Sequence, residues 1–144
     1  MAPEVAPEVE LPLTGGCGCE AVRWELDAVP IKAAYCHCKR CQKRTGTSSA
    51  AVAIAEPGSF RITAGAELIR AWCPDDGAEK HFCSECGSAL FSRHPVDRER
   101  IAVRLGSFDS EPGVRPGARQ FVDSACTWEP IPDDGLPRFG GRAG

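Results

Sequence analysis

The sequence predicts a mainly β fold arranged as one small domain. Fifteen glycines and twelve prolines among 144 residues favour many turns and few long helices. Short stretches of strand-like composition also recur, and most are separated by Gly, Pro or Asp, as in a multi-stranded antiparallel fold. The predicted strands are residues 21–26, 33–36, 49–54, 59–63, 68–72, 79–82, 89–92 and 101–105.

The remaining segments complete this single domain. Residues 39–44 are compatible with one short helical turn, and residues 1–12 read as a disordered, acidic lead-in. The domain then spans residues 13–139 and ends in a flexible tail at 140–144. From Pro112 onward the chain is predicted to be loop-like, and its apolar side chains are expected to pack on the body: Phe121, Trp128, Ile131, Leu136 and Phe139.

Charge and hydropathy exclude several classes of partner. Lys and Arg number 17 against 20 Asp and Glu, so the net charge is -3 and no basic face for a phosphate backbone is expected. No stretch approaches the ~18 apolar residues that span a bilayer. The acidic first ten residues resemble neither a secretory signal nor a transit peptide, so a cytoplasmic location is expected. The oligomeric state is left open.

Nine cysteines are many for a cytosolic chain of this length. Disulfides are disfavoured in that compartment, and an odd number cannot pair completely within one chain. Aromatic residues make up only 7%, so the core is expected to be thin and to need additional staples. Bound metal is therefore the favoured interpretation of the cysteines.

Four cysteines are predicted to form a closed structural site. Cys83 and Cys86 are separated by two residues and followed by Gly87, whose positive φ would let backbone N–H groups point at the thiolates. Cys17 and Cys19 follow a Thr-Gly-Gly sequence that could curl in the same way. Together they would make a tetrahedral four-thiolate Zn²⁺ site that staples the N-terminal region to the middle of the chain.

Three further cysteines are predicted to form a second, open site. Cys36 and Cys38 would share one face of an extended strand, with His37 on the other face, and Cys41 would swing back to the same ion. Structural zinc sites normally have four protein ligands, whereas catalytic sites keep one position for water or substrate. The difference between four and three ligands predicts one structural and one catalytic Zn²⁺ ion.

Other interpretations of the cysteines remain open at this point. The pairs could combine differently, for instance as one site built from 36, 38, 83 and 86. A fourth ligand to the second site could come from Cys73, His37, His81 or Cys126, which would make the protein a non-enzymatic zinc-stabilised interaction module. Reversible oxidation of the cluster, as in a redox sensor, is a weaker hypothesis.

Basic residues follow the three-cysteine cluster directly, at 39, 40, 43 and 44. A charge run is usually a solvated face. However, Zn²⁺ with three thiolates carries a net charge of about -1, which nearby cations would offset. The same cations would attract an anionic thiol, so Arg40 and Arg44 are predicted to contact substrate.

These motifs, in this order, resemble one known family. Gly15-Gly16-Cys17-x-Cys19, Cys36-His37-Cys38-x-x-Cys41 and Phe82-Cys83-x-x-Cys86-Gly87 are similar to the glutathione-dependent formaldehyde-activating enzymes. That family is also called S-(hydroxymethyl)glutathione synthase and shares its domain with centromere protein V. The segments 105–109 and 128–139 are similar to it as well, so the resemblance covers residues 13–139.

The resemblance implies a β-tent type fold, in which twisted antiparallel sheets are stapled by zinc. It also implies the same division of metals, with Cys36, Cys38 and Cys41 catalytic, and a carbon–sulfur lyase activity. Read in reverse, that activity joins glutathione and formaldehyde into S-hydroxymethylglutathione. The zinc would bind the thiol as a thiolate or polarise the carbonyl.

Two positions depart from the family pattern. Glu20 stands where the family usually has Gly, and Arg119 stands where it commonly has His. Arg119 is therefore included among the predicted substrate contacts, although an arginine alters both the charge and the proton-transfer capacity of that position.

Overall fold

The computed structural model describes residues 9–143, so residues 1–8 of the predicted lead-in lie outside the described part. Ten strands, one α-helix and three short 3₁₀-helices (Ala66–Leu68, Leu105–Ser107 and Val122–Ser124) make up this part. The strands are β1 (Leu13–Gly16), β2 (Arg23–Leu26), β3 (Lys32–Cys36), β4 (Ala50–Ile54), β5 (Phe60–Ala64), β6 (Ile69–Trp72), β7 (Glu79–Cys83), β8 (Ala89–Arg93), β9 (Ile101–Arg104) and β10 (Pro116–Gln120), and the helix is α1 (Lys39–Thr45).

The strands form two sheets. The smaller has the order β1-β2-β5, and the larger has the order β10-β3-β4-β9-β8-β7-β6. Every pairing is antiparallel except that of β10 with β3, which is parallel. The predicted mainly β fold is confirmed, and each of the eight predicted strands has a counterpart within two residues.

The hydrophobic core includes side chains of both sheets. Trp24 of the small sheet is fully buried and makes an edge-on contact with Phe108, with ring centroids 4.8 Å apart. Phe60 of the small sheet meets Phe91 of the large sheet, also at 4.8 Å. Phe91 and Val103 are paired in register, so both point from the large sheet toward the small one.

The opposite face of the large sheet carries α1. Arg40 stacks over Trp72 and Arg44 over Phe82, each 5.5 Å from the ring centroid. The helix begins at Cys38, whose side chain caps it, and ends at Gly46, which has φ 69°. Among the described residues, no helix combines the length and apolar character needed to cross a membrane.

The strand β1 was not predicted, because its Thr-Gly-Gly sequence indicated a turn. In the structure Gly15 lies in β1 opposite Trp24. A Cβ on Gly15 would overlap the indole ring and the carbonyl oxygen of Ser107. A glycine is therefore needed at position 15 because β1 packs closely against Trp24, and not because the chain turns there.

The strand β10 was also missed, since the chain from Pro112 was predicted to be loop-like. Pro116 begins β10 at the edge of the large sheet, a position that tolerates proline. The C-terminal segment then follows β10: Arg119 N donates to Pro137 O and Phe139 N donates to Arg119 O, both at 2.9 Å. In the predicted flexible tail, Gly141 O accepts from Phe121 N. Trp128 was expected to pack on the body, but it is 65% exposed, so that prediction is wrong.

Replacing Gly15 by Ala tests the close packing of β1. We expect a loss of about 3 kcal/mol in the free energy of unfolding, because the added methyl group has no space beside Trp24. Denaturant titration followed by tryptophan fluorescence measures this loss. Gly106→Ala is the control, because a Cβ there meets no atom within 4 Å; equal stability of the two variants would contradict the packing.

Candidate metal centres

The four predicted structural cysteines lie together. The Sγ atoms of Cys17, Cys19, Cys83 and Cys86 are all within 4.8 Å of one another. The Cys17–Cys19 sulfurs are 3.6 Å apart and the Cys19–Cys83 sulfurs 3.9 Å apart. Thiolates placed about 2.3 Å from a tetrahedral Zn²⁺ ion are separated by about 3.8 Å. The donor set and its spacing therefore fit a zinc ion.

Local backbone geometry brings these four sulfurs together. Cys17 follows β1 of the small sheet, and Cys83 ends β7 of the large sheet, so the cluster joins the two sheets. Gly87 has φ 78°, as predicted, and its N–H donates to Cys83 O at 2.8 Å. The Val22 N–H donates to the Cys17 sulfur at 3.2 Å. Glu20 has φ 66°, a conformation that glycine adopts more readily than glutamate.

The three remaining predicted ligands also form one cluster. Cys36 ends β3, Cys38 caps α1, and Cys41 lies in the first turn of that helix. Their sulfurs are within 4.8 Å of one another, and the Cys41 N–H donates to the Cys38 sulfur at 3.3 Å. Within residues 9–143, no fourth Cys, His, Asp or Glu side chain joins this group. The two clusters match the predicted division of the cysteines.

The electrostatics of the three-cysteine cluster are compatible with a bound cation. The Cys41 thiol lowers the pKa of the Cys36 thiol to about 5. Reciprocally, Cys36 raises the pKa of Cys41, and burial adds to the rise. Without a cation, ionisation of Cys36 therefore makes ionisation of Cys41 less favourable. A divalent ion between the sulfurs would allow all three to be thiolates.

Other predicted candidates lie away from both clusters. Cys73, a possible fourth ligand in the sequence, is exposed. His81 stacks on Phe91 with centroids 4.5 Å apart, and its Nε2 lies 3.1 Å from Glu79. Neither these residues nor Cys126 belongs to either described metal-ligand group.

Arg119 and His37 lie on the other side of β3 from the Cys36 sulfur. Arg119 pairs with Tyr35 in register, stacks over its ring at 4.3 Å, and is 7% exposed. Its Nη1 is 3.2 Å from Nε2 of the buried His37, and its Nη2 donates to Asp134 at 2.8 Å. These contacts tether the C-terminal segment to the sheet. A substrate contact at Arg119 stays a prediction.

Arg40 and Arg44 lie beside the three-cysteine cluster on α1. Together with Lys39, Lys43 and Trp72 they line a surface groove of about 480 Å³. Arg40 also donates to Asp76 at 2.7 Å, whereas Arg44 Nε is buried without a hydrogen-bond partner in the described chain. The groove therefore presents several positive charges next to the sulfurs.

Two basic residues near the cluster were missed in the sequence. Arg104, at the end of β9, lies beside the Cys41 sulfur, and Lys80 of β7 lies within electrostatic range of Cys38 and Cys41. Both residues are far from the cysteines in sequence. The one available signal was Arg104 itself, a charged residue that ends an otherwise apolar strand.

Comparisons with known proteins identify the family of this chain. The profile of the family described as glutathione-dependent formaldehyde-activating enzyme matches residues 12–124. The chain belongs to this family. A Halomonas elongata protein provisionally named as such an enzyme is 30% identical over 105 residues, which are 69% of this chain and 67% of that protein.

A solved structure shares the fold of this formaldehyde-activating family member. The crystal structure of a Rhodobacter sphaeroides protein superposes with a TM-score of 0.57 at 23% identity. The match covers 88% of this chain and 98% of that one. At this identity the likeness concerns the fold alone.

Serine substitutions distinguish the two clusters. We expect Cys83→Ser to lose cooperative folding and both metal ions, because its cluster joins the two sheets. Cys41→Ser should stay folded and retain one zinc ion per chain. Metal analysis and far-ultraviolet circular dichroism measure both properties.

The control for these variants is Cys73→Ser, since Cys73 is exposed and outside both clusters. It should retain the wild-type zinc content. Unfolding of Cys41→Ser together with loss of both ions would contradict the division between a structural and an open site.

Proposed function

We propose that this protein is a zinc-dependent enzyme that joins a thiol to an aldehyde, and that its substrates are glutathione and formaldehyde. The product would be S-hydroxymethylglutathione, which makes the reverse reaction a carbon–sulfur lyase reaction. We place this activity at Cys36, Cys38 and Cys41, and in the cytoplasm. The main support is the group of three sulfurs that no fourth ligand-type side chain joins in the described chain.

The exposure of the three cysteines supports access from one side. Cys36 is buried, whereas Cys38 and Cys41 are partly exposed at the start of α1. A bound zinc ion would favour the thiolate form of an incoming thiol, which is the nucleophilic form. The sulfur would then attack the carbonyl carbon of formaldehyde, and the oxygen would take a proton from solvent. The residues around the site would hold the thiol in one orientation relative to the carbonyl carbon.

The groove on α1 suits the rest of a glutathione molecule. Glutathione carries two carboxylates, and a guanidinium binds a carboxylate through two parallel hydrogen bonds. Arg44 has a buried nitrogen that lacks a described partner, and Arg40 is held over Trp72 at the groove wall. We therefore assign the binding of the glutathione carboxylates to these two residues.

The activity itself is tested by magnetisation-exchange NMR on glutathione and formaldehyde at equilibrium. Zinc-loaded protein should accelerate exchange between free glutathione and S-hydroxymethylglutathione, whereas Cys41→Ser should not. Buffer containing the same zinc concentration controls for catalysis by the free ion. If the wild-type protein gives no acceleration beyond that buffer, this substrate pair is wrong.

Neutralising the groove should weaken glutathione binding selectively. For Arg40→Gln and Arg44→Gln we expect the KM for glutathione to rise about fivefold each, because an exposed ion pair contributes up to about 1 kcal/mol. The KM for the uncharged thiol 2-mercaptoethanol should stay within about twofold of the wild-type value. Steady-state kinetics with both thiols measure the difference.

Lys32→Gln is the matched control, since Lys32 is exposed and begins β3 at the end opposite Cys36. It removes one positive charge without touching the groove. An equal rise in KM for both thiols, or the same effect in Lys32→Gln, would count against carboxylate binding by the groove.

A further inference from the structure

Arg104 is a buried arginine to which the proposed reaction assigns no role. Arg104 is only 9% exposed. Its Nη1 atom is fully buried and has no hydrogen-bond partner in the described chain. Burying a guanidinium with an unpaired donor is costly. Its location should therefore contain a compensating negative charge.

The strand register places Arg104 on the same face as Cys36. Arg104 pairs with Val52 across β9 and β4, and Cys36 pairs with Ala50 across β3 and β4. Ala50 and Val52 are two residues apart in one strand, so all four side chains share a face. This is the face that α1 covers, and there the guanidinium lies beside the Cys41 sulfur.

Lys80 adds a second cation on this face. It pairs with Ser92, and Ser92 pairs with Ala102, which lies two residues before Arg104 in β9. Burial lowers the pKa of Lys80, and the nearby Cys41 sulfur opposes that effect. Arg104 and Lys80 therefore approach the three cysteines from the sheet, and Lys80 pairs in register with Trp72, which lines the α1 groove.

Cations outnumber the negative charges in this buried group. A zinc ion with three thiolates would have a net charge of about -1, which Arg104 and Lys80 exceed even before Arg44 of α1, which lies within electrostatic range of Arg104, is counted. A further anion would therefore be favoured here. The four-cysteine cluster differs, because Cys19 and Cys86 are exposed and water can solvate its charge. Only the three-cysteine group is covered by two cations from the sheet.

We propose that Arg104, assisted by Lys80, selects an anionic fourth ligand at the three-cysteine site and so holds the substrate thiol as its thiolate. The proton of the thiol passes to solvent on binding, and the guanidinium stays protonated throughout. Arg104 is thus a positioning residue: its charge makes the site prefer an anionic ligand to a neutral one. This inference rests on the function proposed above.

Ligand binding to cobalt-substituted protein tests the selection directly. The probes are 2-mercaptoethanol, which is charged only when its sulfur ionises, and imidazole, which binds as a neutral ligand. In Arg104→Met we expect the affinity for 2-mercaptoethanol to fall about tenfold or more, since a buried compensating charge is lost. The affinity for imidazole should stay within about twofold. Sulfur-to-cobalt charge-transfer absorbance reports thiolate binding, and the d–d bands report imidazole.

Three further variants complete the design. Arg104→Lys should retain most thiol affinity because it retains the charge, and Lys80→Met should lose about threefold. Arg93→Met is the matched control: Arg93 also has a buried Nε without a described partner, but it stacks over Phe91 on the other face of the sheet. It should bind both probes like the wild type.

The outcomes separate this inference from the proposed function. If Arg104→Met binds 2-mercaptoethanol as tightly as the wild type, or loses both probes equally, charge selection by Arg104 is wrong. If the wild-type protein with two cobalt ions binds no thiol, the proposed function fails, and the inference fails with it. Should Arg104→Met fail to fold, Arg104→Lys and Lys80→Met decide through the ratio of thiol to imidazole affinity.

Discussion

The close grouping of seven cysteine sulfurs is the constraint on which this structure depends. Seven cysteines are held in two groups, and within each group the sulfurs lie within 4.8 Å of one another. Thiolates at that distance repel strongly unless a cation lies between them. A bound metal ion would therefore affect both the stability of these loops and the reactivity of the sulfurs.

The two clusters differ in which parts of the fold they connect. The four-cysteine cluster joins the end of β1 to the end of β7, so its metal would link a small sheet to a large one across a thin core. The three-cysteine cluster lies instead at the junction of β3 and α1, with the basic residues of α1 on the helix side and Arg104 and Lys80 on the sheet side. We propose that the first arrangement stabilises the fold, and that the second leaves one position of a bound ion available to a substrate sulfur.

Much of this arrangement could be predicted from the sequence because the ligands come in short, regular spacings. A metal-binding turn is indicated by the spacing of Cys83, Cys86 and Gly87 alone. The positive φ at Gly87 agrees with that prediction. The alternation of residues along β3 likewise placed His37 opposite Cys36. The strands with strong apolar patterns were also found, to within two residues at their ends.

The features that were missed depend on contacts between distant residues. Gly15 lies in a strand because Trp24 fills the space where its side chain would be, and β10 forms because an edge position tolerates Pro116. Arg104 comes close to Cys41 only through the order of strands in the large sheet. No local pattern contains that order, so the cations on the sheet side could not be assigned to the site.

The most direct test of the account is zinc X-ray absorption on protein loaded with two ions, with and without glutathione. Four ligands in one cluster and three in the other predict an average of about 3.5 sulfur neighbours per zinc ion, rising to about 4 when glutathione binds. An average of 4 before glutathione is added, or no rise after saturation, would contradict an open coordination position at Cys36, Cys38 and Cys41.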